Sequence, residues 1–174
     1  MTFPHLPSEI TEWAQWAGFS FTHDSDALVL YSEGGEFRHY LRQEAGWWQV
    51  SFAARRDDEH GVFRASSEDV LAHYLVEVFG AVIRAEQGHK FLHLPYQRED
   101  LAIGYTLSEM FDAGFRTLAR VGGDAIAMAR ESTLSMLILV PLSHYVQLTI
   151  AELKAAFLSE DGWPLLSGDS YRTP

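Results

Sequence analysis

Ser32-Glu33-Gly34-Gly35-Glu36-Phe37-Arg38-His39-Tyr40 stands at the centre of the stretch that decides the fold, residues 28–65. A period of two puts Phe37, His39 and Leu41 on one side of an extended segment. Glu36, Arg38, Tyr40 and Arg42 fall on the other. Gly34-Gly35 supplies the positive backbone angles of a hairpin turn, and Gly46 does the same at the next turn. The stretch reads as four short strands, at 28–31, 36–42, 47–55 and 62–65. In the third, Trp48, Val50, Phe52 and Ala54 share one face, opposite Trp47, Gln49, Ser51 and Arg55.

Working outward, Ser8 is the expected N-cap of a first helix carrying Ile10, Trp13, Ala14 and Ala17 at helical spacing. Gly18 stops it, and Phe19 and Phe21 lead through the polar turn His23-Asp24-Ser25-Asp26 into the first strand. On the other side, Ser66 and Asp69 form a variant capping box for the longest helix, about 67–87. Its apolar positions, Val70, Leu71, Tyr74, Leu75, Val78, Phe79, Val82 and Ile83, make a stripe wide enough to cover one sheet face. Gly88 ends it. Residues 89–100 then show no periodicity, and Pro95 denies them a central strand. An irregular connection of that length marks a candidate functional loop.

Short strands resume at 103–107, 115–121 and 124–130, with Gly122-Gly123 as a second hairpin turn. The apolar run 134–140 reads as a buried strand ended by Pro141. Thr149 and Glu152 form a capping box for a last helix with Ile150, Leu153 and Phe157 inward. Asp161-Gly162-Trp163-Pro164-Leu165 is a turn, and the polar tail beyond it is expected to fray. The fold class is α+β: mainly antiparallel sheet of short strands, a long helix on one face, and shorter N- and C-terminal helices. The two Gly-Gly hairpins hint at two similar sheet layers within one domain spanning 1–174.

The totals exclude several function classes. A chain of 174 residues, 47% hydrophobic, is long enough for a core without staples, and it contains no cysteine for disulfides or thiolate metal sites. No run reaches the roughly 20 apolar residues of a spanning helix, and the N-terminus lacks signal-peptide character. A cytoplasmic protein with no membrane partner is expected. The net charge of −11 disfavours nucleic acid, which would be repelled rather than neutralised. It suits a basic protein partner, or serves solubility alone.

Catalytic and metal-binding patterns do not assemble. His89 and His93, at helical spacing, are bracketed by Gly88 and Pro95 and lack companion ligands. His39 fits a hydrogen-bonded core histidine. Ser143-His144 has no nucleophile elbow around it, and neither Gly-Gly pair belongs to a phosphate loop. Glu109 and Asp112 have the spacing of paired acids, which is common in solvated segments. Basic residues form no stripe, so the tryptophans are expected mostly in the core. No cofactor is implied. These features favour a binding module over an enzyme.

A pattern of short motifs then joins these segments: Trp16-Ala17-Gly18-Phe19, Tyr31 through Tyr40, Gly46-Trp47-Trp48, Tyr74-Leu75, Phe79-Gly80 and Ile83-Arg84. Leu142-Ser143-His144-Tyr145 and Asp161 through Leu165 complete it. Over residues 12–165 the chain resembles the immunity-protein family that contains the antitoxin of tuberculosis necrotizing toxin. The resemblance implies a bacterial cytosolic antitoxin, not itself an enzyme. Such a protein binds the C-terminal domain of a secreted polymorphic toxin one to one and blocks its NAD-hydrolysing active site. The matching residues are mostly turn glycines and core aromatics, so no inhibitory residue carries over.

Contact residues are instead expected on the 55–60 turn and the 94–100 loop: Arg56, Asp57 and Asp58, with Tyr96, Gln97 and Arg98. The alternative for any one of them is an ordinary solvated loop residue. Two other readings stand beside the antitoxin. One is a small-molecule-binding or enzymatic α+β domain with a pocket between the sheet and the long helix. The other is a self-associating adaptor.

Overall fold

The computed structural model describes residues 5–111 and 113–172. Eight strands make one antiparallel sheet in the order β1-β2-β3-β4-β5-β8-β7-β6. They are β1 (Ser20–Asp24), β2 (Ala27–Tyr31), β3 (Phe37–Glu44), β4 (Trp47–Ala54), β5 (His60–Ala65), β6 (Tyr105–Leu107), β7 (Phe115–Arg120) and β8 (Ala125–Arg130). Four helices accompany them: α1 (Ser8–Trp16), α2 (Glu68–Glu86), α3 (Ser132–Tyr145) and α4 (Ile150–Leu158). A short ladder of β9 (Leu166–Ser167) and β10 (Ser170–Tyr171) closes the described chain. The α+β class and the long helix are as the sequence reads. The hint of two sheet layers is not: both Gly-Gly turns serve the same sheet.

Alternation sorts the strand residues onto two faces. Leu28, Leu30, Leu41, Trp48, Val50, Phe63, Leu118, Ala127 and Ala129 belong to the core cluster. Between them along the strands, Val29, Arg38, Tyr40, Arg42, Gln49, Ser51, Arg64, Thr117 and Met128 do not. The helices lie on the core face. Tyr74 of α2 stacks on Phe63 with centroids 4.1 Å apart, and Phe79 meets Phe19 edge-on at 4.9 Å. Each such buried side chain contributes about 1.5–3 kcal/mol. Around α2 gather the other helices: Trp13 of α1 donates its indole N–H to Val76 O at 3.1 Å, and α4 packs at Gly80.

Several boundaries differ from the sequence reading, each for a local reason. Ser8 is the first helical residue rather than the cap, because the Pro7 carbonyl already accepts from the Ile10 and Thr11 N–H groups. Ser67, not Ser66, caps α2, accepting from Val70 N–H at 3.2 Å. Ser66 directly follows β5 and donates its N–H to Ile126 O of β8. The first strand, β1, was hidden in what reads as a connection, because this edge strand is mostly exposed and its sequence polar. Gly34 and Gly35 have φ of 69° and 68° as expected, but they sit in a short 3-10 turn rather than a two-residue hairpin.

The apolar run 134–140 is the larger correction, for it lies in α3 rather than in a strand. A helix buried on nearly all sides shows no amphipathic period, so periodicity cannot separate it from a buried strand. Pro141 is inside that helix. Proline offers no N–H to the carbonyl four residues back, that of Leu137, and Leu137 is 41% exposed. The tryptophans also divide. Trp13 and Trp48 are buried, while Trp16 and Trp163 are half-exposed. The tail does not fray through Arg172, since Tyr171 is anchored as described below.

His39 is in the core, packed among Phe19, Phe52 and Phe79, but its Nδ1 has no hydrogen-bond partner among the described residues. Burial pulls its pKa from 6.5 down to about 4. The unfolded chain therefore binds more protons in that window, and stability falls as pH drops through it. Between pH 7 and pH 5 the loss from this group is about 2 kcal/mol. Urea unfolding at the two pH values should show that loss in the wild type and a reduced loss in His39→Leu; equal losses contradict it.

Gly80 makes a second test. A Cβ there would lie 2.7 Å from Phe157 Cγ, and Phe157 is 2% exposed with no room to retreat. Alanine would add about 1 kcal/mol of helix propensity, against about 1–3 kcal/mol for overpacking. Gly80→Ala is expected to lower the urea midpoint; a raised midpoint contradicts this packing.

Candidate functional site

The 55–60 turn joins β4 to β5 at one end of the sheet, and its backbone is held from below. Asp57 N–H donates to Ala54 O at 2.8 Å, and the Arg38 guanidinium donates to Arg55 O at 2.9 Å. Arg55 itself takes φ of 51°, which turns the chain sharply. At the far side, Arg42 grips both Glu59 oxygens and reaches Asp26 at 3.1 Å, holding the Asp26 carboxyl below its usual pKa. Between these anchors Arg56, Asp57 and Asp58 are exposed, with no side-chain hydrogen bond or ion pair to another described residue.

The 89–100 segment is irregular yet fixed. Asp100 accepts from Gln97 N–H at 2.8 Å, closing a one-turn 3-10 helix, Arg98–Asp100. His144 of α3 donates Nε2–H to Asp100 O at 2.7 Å, and its ring stacks on Tyr171 at 3.6 Å. Burial lowers the His144 pKa, which keeps the ring in that neutral, donating form. Tyr171 donates its hydroxyl to Pro95 O at 2.7 Å. The neighbouring Ser143 accepts from Ala102 N–H at 3.1 Å. Ser143 and His144 are therefore pins for this segment, not a nucleophile and its base.

Arg84 fastens the start of the same segment. Its buried guanidinium donates to Lys90 O, to Phe157 O at 3.1 Å, to Ser159 O and to Glu160 O at 2.6 Å. These carbonyls belong to the loop and to the C-terminal end of α4, where a helix dipole favours a cation.

The predicted contact residues fall into two groups. Gln97 is exposed and Tyr96 half-buried, and they line an open cleft of ≈ 630 Å³ with His93, Pro95, Asp100 and Asp169. Arg98 points the other way, donating to Leu107 O at 3.0 Å and pairing with Glu109 at 2.9 Å. Arg56, Asp57 and Asp58 do not line that cleft. Asp112, the expected companion of Glu109, lies outside the described residues. His93 lines the open cleft while His89 lines a separate cavity, so the two histidines do not converge. Among the described residues no three His, Asp or Glu come together to hold a metal ion.

That separate cavity, of ≈ 90 Å³, lies between Glu77, Ala81, Arg84 and Ala85 of α2, Phe157 of α4, and Phe91, Leu92 and Leu94. No strand residue lines it, so it is not the pocket between sheet and long helix that the sequence allows for. Burial pushes the Glu77 carboxyl up to about 8. On the open face of the sheet, a shallow groove of ≈ 510 Å³ is lined by Gln49, Ser51, Arg64, Ala113, Phe115 and Arg130, among others. The guanidinium carbons of Arg64 and Arg130 lie 4.7 Å and 5.5 Å from the Phe115 ring centre. Sequence reasoning missed this stack. Period-two parity places the residues on one face, but only the β5-β8-β7 pairing brings them together.

Comparison with known proteins gives this geometry a context. The model of a family described as Immunity protein 61 matches residues 13–165. Two curated proteins, "Immunity factor for TNT" of Mycobacterium tuberculosis (strain ATCC 25618 / H37Rv) and "Immunity factor for TNT homolog" of Mycobacterium bovis (strain BCG / Pasteur 1173P2), are each 29% identical over 168 residues. The alignment covers 93% of this chain and 93% of each of them. A solved structure, Rv3902c from M. tuberculosis, superposes with a TM-score of 0.81 at 27% identity, covering 92% of both chains.

If Tyr171 pins the 95–100 loop, removing only its hydroxyl should loosen that loop. Tyr171→Phe is expected to cost about 1 kcal/mol and to speed amide exchange across residues 96–100. Unchanged exchange there contradicts the anchoring role.

Proposed function

The chain belongs to the immunity protein 61 family, and on that premise we propose that it occludes the active site of a secreted toxin domain, an NAD(P)+ glycohydrolase. An immunity function, exercised by binding a cognate toxin protein, follows from the family. The finer reading is a cytoplasmic antitoxin, one domain over 1–174, that protects the producing cell by forming a one-to-one complex without catalysis of its own. The observation that carries it is the match across residues 13–165, which takes in both exposed loops. Arg56, Asp57 and Asp58, with Tyr96, Gln97 and Arg98, are proposed contacts. They are presented on anchored backbone, so binding costs little ordering entropy.

The small-molecule reading draws less support. That reading needs a pocket between the sheet and the long helix. The cavity beside Glu77 on the long helix has no strand residue in its lining and offers ≈ 90 Å³, where ligand pockets commonly enclose about 300–1,000 Å³. The larger cleft and groove lie away from the long helix. No helix among the described residues is by itself long and apolar enough to cross a membrane.

Co-expression with its cognate toxin domain, sought among the proteins encoded beside this chain, tests the proposal. Growth should be rescued, a one-to-one complex should co-purify, and NAD hydrolysis by the toxin should stop when the chain is added in equimolar amount. A toxin that remains fully active beside a stoichiometric excess of the folded chain contradicts it.

A further inference from the structure

The Arg64–Phe115–Arg130 stack is unusual in its setting. The chain carries a net charge of −11, yet here two guanidiniums share one aromatic ring. Among the described residues the arginines that pair with carboxylates are Arg42, Arg55 and Arg98. Among the described residues neither Arg64 nor Arg130 has a carboxylate within salt-bridge distance or a side-chain hydrogen bond. Phe115 is 7% exposed, so the ring is a fixed platform and the two forks are held against it.

Position adds a second argument. Phe115 opens β7, Arg130 ends β8, and His60 opens β5, so the stack lies at the sheet end that bears the 55–60 turn. Arg98 meets Glu109 in the connection that runs from β6 to β7 and forms the groove wall at Ala113. From β5 to β6 is three strand spacings, about 14 Å. A standard interface of about 800 Å² per partner is roughly twice that across. A partner touching both the 55–60 turn and Arg98 therefore spans the groove between them. Half-exposed Phe37 and Phe111 flank the same end, each stacked on an inner ring. Arginine with aromatic neighbours is the composition of interface hot spots.

We propose that the groove at Arg64, Phe115 and Arg130 docks an acidic segment of the cognate toxin, whose carboxylates neutralise both guanidiniums. The partner chemistry follows from charge: each planar fork donates paired N–H groups to the two oxygens of a carboxylate, and a nearby anion relieves the repulsion between the two cations. Gln49 and Ser51, lining the groove, add neutral hydrogen-bonding groups beside it. This inference rests on the antitoxin reading and names the chemistry of its contact surface.

The test is calorimetric binding of the full chain to a catalytically inactive form of the cognate toxin domain, at low and high salt. Arg64→Glu and Arg130→Glu should each weaken binding about 30-fold, as charged hot spots do. The double variant should also lose most of the wild-type salt dependence, with melting temperatures unchanged. Should a charge reversal unfold the chain, the neutral pair Arg64→Gln and Arg130→Gln is measured in its place, with the same loss expected. If the wild type binds and folded variants bind equally well, the docking site is wrong while the antitoxin reading stands. If the folded wild type does not bind at all, the antitoxin reading fails and this proposal with it. Arginine-dependent binding of inorganic phosphate to the chain alone, with toxin affinity unaffected by either substitution, would make the groove a free-anion site and overturn the proposal.

Discussion

Arg84 is the interaction on which the arrangement of the loops depends. A buried guanidinium is costly unless its N–H groups are all engaged, and an unpaired one would cost several kcal/mol. Here four backbone carbonyls engage it, from the loop after α2 and from the end of α4. Asp161 and Glu160 partly offset the lowering of its pKa by burial. One side chain thus fixes where the long helix ends, where the irregular segment starts, and where α4 stops. His144 and Tyr171 continue the same task further along, so residues 89–100 have shape with no secondary structure beyond the one 3-10 turn at Arg98–Asp100.

The two faces of the sheet divide the labour. One is covered by helices and supplies the core; the other keeps arginines, tyrosines and small polar residues outside the core cluster. Rigidity comes from the first face: Gly80 lets α4 come against α2, and Phe63, Tyr74 and Phe79 lock α2 to the strands. The loops at the sheet end inherit that rigidity through Arg38, Arg42 and Arg98, which hold backbone or carboxylates rather than solvent. A protein that must match a partner's surface benefits from such order, because less conformational entropy is lost on binding.

Much of the scaffold was legible from residues close together in sequence. The Thr149–Glu152 capping box, the 68–86 helix and the alternation of β3 and β4 are local signals, and each forms as read. The 134–140 run was not legible, because burial on nearly all sides erases the helical period and Pro141 argues falsely for an end. Edge strand β1 was hidden by its polarity. The groove was illegible for a different reason: Arg64, Phe115 and Arg130 meet through sheet order, and the sequence does not state that β5 pairs with β8. The exposed character of Arg56, Asp57 and Asp58 could be read from composition; the commitment of Arg98 to Leu107 and Glu109 could not.

Hydrogen–deuterium exchange of the chain with and without its toxin partner tests most directly the claim that the loop end of the sheet is the contact surface. The account predicts new protection in residues 55–60, 96–100 and 113–116, with α1 and α4 unchanged. Protection confined to α1 and α4, with the sheet end exchanging as it does in the free chain, would contradict it.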